Sequence, residues 1–226
     1  MLPLRDNVPT RGFPVVTVAL ILANAAVWIF YQVPDLEGSV RELAYQPCEI
    51  QNTCVQVGED WWVTWLTSMF MHGGWDHILG NMLFLWIFGN NVEDAMGRAR
   101  FLVFYLAGGA AATGLQTVVT LYYGSAADAA VPNLGASGAV SAVLGAYLVL
   151  LPGARVLTLL GFFIVEIRAI WFLGTWFLFQ LWLGNASLEQ PEAGGGVAFF
   201  AHIGGFVFGA VAVRAFARER RRRAFR

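Results

Sequence analysis

Apolar residues cluster in six stretches, at about 14–32, 76–96, 101–123, 136–151, 169–184 and 199–217, with polar segments between them. Each is close to the roughly 20 residues that an α-helix, rising ~1.5 Å per residue, needs to cross a ~30 Å hydrocarbon layer. The pattern predicts an all-α fold, a polytopic membrane bundle of six transmembrane helices. On that reading residues 1–13 are a cytoplasmic N-terminal segment, 14–217 a single membrane domain and 218–226 a basic cytoplasmic tail. Ala23-Asn24-Ala25 resembles a signal-peptidase site, but apolar sequence continues past it, which predicts an uncleaved helix.

The connections differ in character. Residues 33–66 form the one long polar segment, read as an outer loop, and it is acidic: Asp35, Glu37, Glu42, Glu49, Glu59 and Asp60 face Arg41 alone. Loops of that length in compact proteins tend to be functional. Trp61, Trp62 and Trp65 at its end predict an amphipathic element lying at headgroup level. Cys48 and Cys54 are the only cysteines, and the spacing admits either a disulfide closing a small loop or a pair of free thiols. Residues 124–135 read as a Gly/Ala/Ser-rich linker, 155–168 as a short amphipathic connection and 185–198 as a polar, Gly-rich loop.

Composition places the chain in the membrane class independently of the pattern. Hydrophobic residues make up 58% of it and charged residues 13%, against about 25% charged in soluble domains. Every one of the fourteen basic residues is Arg, and their distribution fixes an orientation. Six spans put both termini on one side. Arg5, Arg11, Arg98, Arg100, Arg155, Arg168 and the tail beyond Arg214 then all face the cytoplasm, and only Arg41 does not. The run Arg218-Glu219-Arg220-Arg221-Arg222-Arg223 directly follows an apolar span, so it reads as a topology anchor and not as a nucleic-acid contact.

Polar side chains within such stretches cost free energy unless they meet one another or water. In the predicted topology His77 and Asn81 lie in the outer part of the second span, four residues apart and on one helical face. Ser137 opens the fourth span after Gly135-Ala136, and His202 lies three residues into the sixth. Three helices thus bring four polar residues to one depth below the outer surface. Ser137, Ser141 and Gly145 form a small-residue stripe on the fourth span, matched by Gly205 and Gly209 on the sixth, which allows close helix approach. Ser137 is a candidate nucleophile and His202 its general base, as a dyad, because no acid lies in register to complete a triad. Asn81, His77 and the free N–H groups at the start of the fourth span are candidate donors to an oxyanion. This chemistry needs no cofactor and no metal.

The motifs His72-x4-His77-x3-Asn81, Gly135-x-Ser137-Gly138 and Ala201-His202-x2-Gly205 together resemble the rhomboid intramembrane serine proteases, over essentially the whole chain. The resemblance implies Ser137 as nucleophile, His202 as general base, His77 and Asn81 as the oxyanion-hole pair, and a structural role for His72. It implies as partners the lipid bilayer and a single-pass transmembrane protein substrate, cut near the outer face where its helix is unwound. It implies a multi-pass cell-membrane protein whose site opens to the extracellular or periplasmic side, gated by the fifth span and the loop after it. Two positions depart from the family pattern. Ser141 stands where many relatives carry an aromatic residue against the catalytic histidine, and Trp62 is followed by Val63, not by the common Arg.

Other readings are weaker. A metal site of His72, His77 and His202 lacks the His-Glu-x-x-His spacing. A transporter would show inverted repeats. The alternative closest to the protease is a non-catalytic rhomboid-like protein that binds membrane clients, a pseudoprotease, a class that usually loses the Ser or the His.

Overall fold

A computed structural model describes residues 1–55, 58–189 and 197–218. Each of the six apolar stretches is helical. The first is α1 (Val15–Ala26), which runs on through a π-helical turn, Val27–Gln32. The second is α4 (Trp75–Phe84), continued by a π-helical turn, Leu85–Gly89, and by α5 (Asn90–Met96). The others are α6 (Arg98–Tyr123), α8 (Ser137–Leu150), α9 (Ala169–Glu189) and α10 (Phe199–Phe216). Among the described residues, three helices are long and apolar enough to cross a membrane: Val15–Gln32, Arg98–Tyr123 and Phe199–Phe216.

The shortest of the six, α8, sits at the centre. It is buried from Gly138 to Tyr147, which explains why its sequence is apolar on every side and not on one stripe. Backbone contact between α8 and α10 is very close. A Cβ on Gly205 would stand 2.1 Å from Gly138 O, and one on Gly209 would stand 1.9 Å from Ala142 O. The small face that α8 turns to α10 is therefore Gly138, Ser141, Ala142 and Gly145, so the expected stripe keeps Ser141 and Gly145 and gives up Ser137, whose place is taken by Gly138. Ser141 is turned back on its own helix, its hydroxyl donating to Ser137 O at 2.7 Å.

Two features depart from the expected elements, the first of them from the all-α fold. Residues 155–168 are a β-hairpin of β2 (Arg155–Leu160) and β3 (Phe163–Arg168), and the N-terminal segment supplies β1 (Leu2–Asp6), giving an antiparallel sheet in the order β1-β2-β3. The two-residue turn has Gly161 at φ +60°, the conformation a tight hairpin requires. The β-branched run Phe-Ile-Val-Glu-Ile-Arg then pairs in place of coiling. The sheet is latched to the helices by Asp6, whose carboxylate accepts from the Tyr147 hydroxyl and from Asn91 Nδ2. Second, α9 extends to Glu189, into the segment expected to be a loop. The rest of that loop (190–196, with its three glycines) and the Arg tail beyond Arg218 lie outside the described residues.

The long polar segment is structured. It holds α2 (Leu36–Leu43), with Asp35 accepting from Gly38 N–H at its start, and α3 (Trp61–Thr67), which carries the three tryptophans. Cys48 and Cys54 form a disulfide. The four-residue helix α7 (Ala126–Ala129) starts in a Ser125–Asp128 capping box. Between it and α8, Tyr45 and Asn133 exchange backbone hydrogen bonds at 3.2 and 2.7 Å. The polar segment is thereby anchored to the stretch just before Ser137.

Candidate active site

The backbone ahead of Ser137 is shaped by Gly135. Its φ of +124° lies in the region that disfavours side chains, and a Cβ there would stand 2.8 Å from His77 Nε2. Its N–H donates to Ser68 O at 2.9 Å. Ser137 follows as the first residue of α8, at the helix end where backbone N–H groups have no intrahelical partner.

His202 is carried on the first turn of α10, which α6 holds in place: Gln116 Oε1 accepts from Ala201 N–H at 3.2 Å. The imidazole is gripped from α9. Its Nδ1 lies 2.8 Å from Gln180 Oε1, and the Trp176 ring packs at 6.1 Å between centroids. With an amide oxygen as partner, Nδ1 is the protonated nitrogen and Nε2 keeps its lone pair. Among the described residues no hydrogen bond joins the ring to Ser137. Catalytic hydrogen bonds are often long before substrate is bound.

Ser137, His202, His77 and Asn81 line one cavity of about 630 Å³, with Asp76, Ser141 and Trp176 among the other residues of its wall. All four residues singled out in the sequence therefore share one chamber. His77 Nδ1 accepts from Gly73 N–H at 3.3 Å, which leaves the ring proton on Nε2, the nitrogen nearest Gly135. Asn81 is 8% exposed, and its Nδ2 makes no hydrogen bond within the protein. A buried amide donor without a protein acceptor costs about 1–3 kcal/mol, and this one belongs to a residue that lines the cavity.

His72 does not enter that wall. It is fully buried, its backbone clamped by Gln32, which donates from Nε2 to His72 O and accepts from His72 N–H, both at 2.8 Å. Its ring meets His77 edge-on at 5.1 Å. Burial, with His77 beside it, pushes the imidazole down to about 3, so the ring is neutral, and neither of its nitrogens has a hydrogen-bond partner within the protein. Among the described residues no group of three or more His, Cys, Asp or Glu could hold a metal ion.

Two residues of this site escaped the sequence reading. Gln180 is the only carboxamide in the aromatic stretch 169–184, and a lone amide in apolar sequence was the available signal. Trp176 supplies an aromatic ring against His202 from α9, a partial counterpart of the one that Ser141 does not supply from α8.

The Rhomboid domain model matches residues 59–219, and the chain belongs to the rhomboid family. It is 29% identical over 199 residues to the mitochondrial presenilin-associated rhomboid-like protein of Bos taurus, covering 84% of this chain and 45% of that protein. It is 30% identical over 198 residues to the mitochondrial Rhomboid protein 1 of Saccharomyces cerevisiae, covering 84% of this chain and 50% of that protein. A 98-residue segment is 38% identical to the rhomboid protease GluP of Bacillus subtilis, covering 43% of this chain and 17% of that protein. The chain thus spans about half the length, or less, of these relatives.

Proposed function

We propose that this protein is an intramembrane serine endopeptidase that cuts single-pass membrane proteins near the outer membrane face. Ser137 is the nucleophile and His202 the general base. Ser137 Oγ attacks the scissile carbonyl carbon while its proton passes to His202 Nε2. The carbonyl oxygen, now an anion, takes hydrogen bonds from Asn81 Nδ2 and His77 Nε2–H and from N–H groups at the start of α8. Collapse breaks the C–N bond, and His202 returns the proton to the leaving amine. Water then repeats the sequence on the acyl-enzyme and releases the new carboxylate.

One observation carries the reading: the four residues line a single cavity, with His202 Nδ1 held by Gln180 Oε1 and the Asn81 donor unpartnered within the protein. Relatives named as rhomboid proteases support it. The proposal includes six membrane spans within 14–217, both termini cytoplasmic, and a cell-membrane location with the site opening outward. The length of α8 fits that placement. Its 14 residues reach only about 21 Å of a ~30 Å hydrocarbon layer, so a helix ending near the inner surface starts below the outer one.

The test is cleavage of a transmembrane reporter by the purified protein in liposomes. Activity that survives a chelator and disappears in both Ser137→Ala and His202→Ala is the expected result. Normal cutting by Ser137→Ala refutes the nucleophile, and no cutting by the wild type against a panel of reporters favours the client-binding alternative.

A further inference from the structure

The face that α9 turns toward α10 is built around one imidazole. Trp176, Gln180 and Gly184 recur at four-residue intervals and so lie along one side of the helix. Trp176 packs on the His202 ring, and Gln180 bonds its Nδ1. Gly184, where a Cβ would stand 3.2 Å from Ile203 Cδ1 and 3.5 Å from the Phe200 ring, lets the two helices close one turn further on. Phe177 stacks on Phe206 at 4.4 Å and fixes the register from the flank. Gln180 itself is only 7% exposed. A carboxamide buried in an aromatic helix carries a desolvation cost that a hydrocarbon would not, and what it gains is the bond to His202.

We propose that Gln180 is a positioning residue of the serine–histidine site, its side-chain oxygen setting the tautomer and ring orientation of His202 so that Nε2 faces Ser137. This rests on the protease reading above. A histidine without a partner at Nδ1 divides between two tautomers and two ring flips, and only one arrangement presents a basic Nε2 to the serine. The Ser137 proton goes to Nε2, and the Nδ1 proton stays on His202 throughout. No proton passes to Gln180. As the ring becomes an imidazolium, its Nδ1–H bond to the amide oxygen strengthens, which favours the transition state over the ground state. An amide does this without placing a carboxylate in apolar surroundings, where charge is expensive. The dyad expected from the sequence thus keeps two reacting residues and gains a positioning residue on α9.

The experiment compares the wild type, Gln180→Met and Gln180→Glu, all full length in liposomes with the same transmembrane reporter, alongside Ser137→Ala and His202→Ala. Gln180→Met keeps side-chain length and removes the acceptor. It is expected to lower kcat about 10–100-fold, well short of the ~10⁴ seen when a triad carboxylate is replaced, with KM within about twofold. Gln180→Glu restores an acceptor at the same reach and is expected to recover kcat to within about fivefold of the wild type. A purely structural glutamine would not give that rescue. Wild-type kcat in Gln180→Met, or a Gln180→Glu protein as slow as Gln180→Met, overturns the proposal. Should Gln180→Met not fold, Gln180→Asn, whose oxygen is drawn back by one methylene, replaces it: reduced kcat supports the role and wild-type kcat removes it. Activity in Ser137→Ala or His202→Ala would instead refute the site itself, so the two failures are distinguishable.

Discussion

A single methyl group at position 205 should disable the site without touching a reacting atom. Gly205 lies three residues after His202 and faces the backbone of Gly138, the residue after Ser137. A Cβ there would stand 2.1 Å from Gly138 O, 3.0 Å from its carbonyl carbon and 3.2 Å from Ser141 Cβ. Ordinary contact begins near 3.4 Å, so α8 and α10 must separate by about 1.3 Å at this level. The carbonyl belongs to the helix backbone and cannot rotate away as a side chain would. Overpacking of this kind costs about 1–3 kcal/mol of stability. The larger effect falls on turnover, because a displacement near 1 Å between nucleophile and base costs on the order of 10²-fold. Gly205→Ala is therefore expected to lower kcat by about 10²-fold while the protein still folds. The control is Gly174→Ala on α9, where a Cβ meets nothing within 4 Å; that change should leave turnover unaltered. Reporter cleavage in liposomes and the thermal unfolding midpoint read the two effects separately. A Gly205→Ala protein with wild-type kcat would show that α8 and α10 need not be this close, and would refute the reasoning.

Other expectations follow from single contacts. Asn81→Ala removes the unpartnered donor from the cavity wall and should reduce kcat by about 10²–10³ with little change in unfolding midpoint; equal loss of stability would make Asn81 a packing residue. The Cys48–Cys54 disulfide constrains the acidic outer segment, and replacing both cysteines by Ser should cost about 2 kcal/mol, read as a lower midpoint that reductant no longer affects. Burial raises the Asp6 carboxyl above its usual 3.8, against the lowering effect of its hydrogen bonds from Tyr147, Val8 and Asn91. The folded state then binds that proton more tightly than the unfolded chain. Its contribution to stability is complete below about pH 4 and is lost as pH rises through the folded value. The wild-type midpoint should accordingly fall relative to that of Asp6→Asn as pH rises above about 4, and parallel curves would contradict the assignment.

The six helices were legible because a long apolar run in this composition has one economical solution, a helix that satisfies its own backbone. That these four residues would share one place was legible for a related reason: Ser137, His77, Asn81 and His202 are polar residues in sequence that otherwise avoids them. The β-hairpin was not. Val156, Leu157, Leu159 and Leu160 are apolar enough to pass for an amphipathic connection, and β2 is joined by a partner, β1, that lies at least 150 residues away in the chain. The helix contact was misread by one residue at Ser137, since serine and glycine are both small. Only the structure shows that serine goes to the cavity and Gly138 to α10. Gln180 was hidden by its neighbours, because Trp171, Phe172, Trp176, Phe177, Phe179 and Trp182 dominate the stretch in which it is the one amide.

The most direct measurement is where a serine-reactive probe lands. A fluorophosphonate forms a stable bond only with a hydroxyl activated by a base. Peptide mapping of the labelled wild-type protein should place the adduct on Ser137, and His202→Ala should abolish it. An adduct on Ser68 or Ser141 instead, or undiminished labelling of Ser137 without His202, would contradict the account.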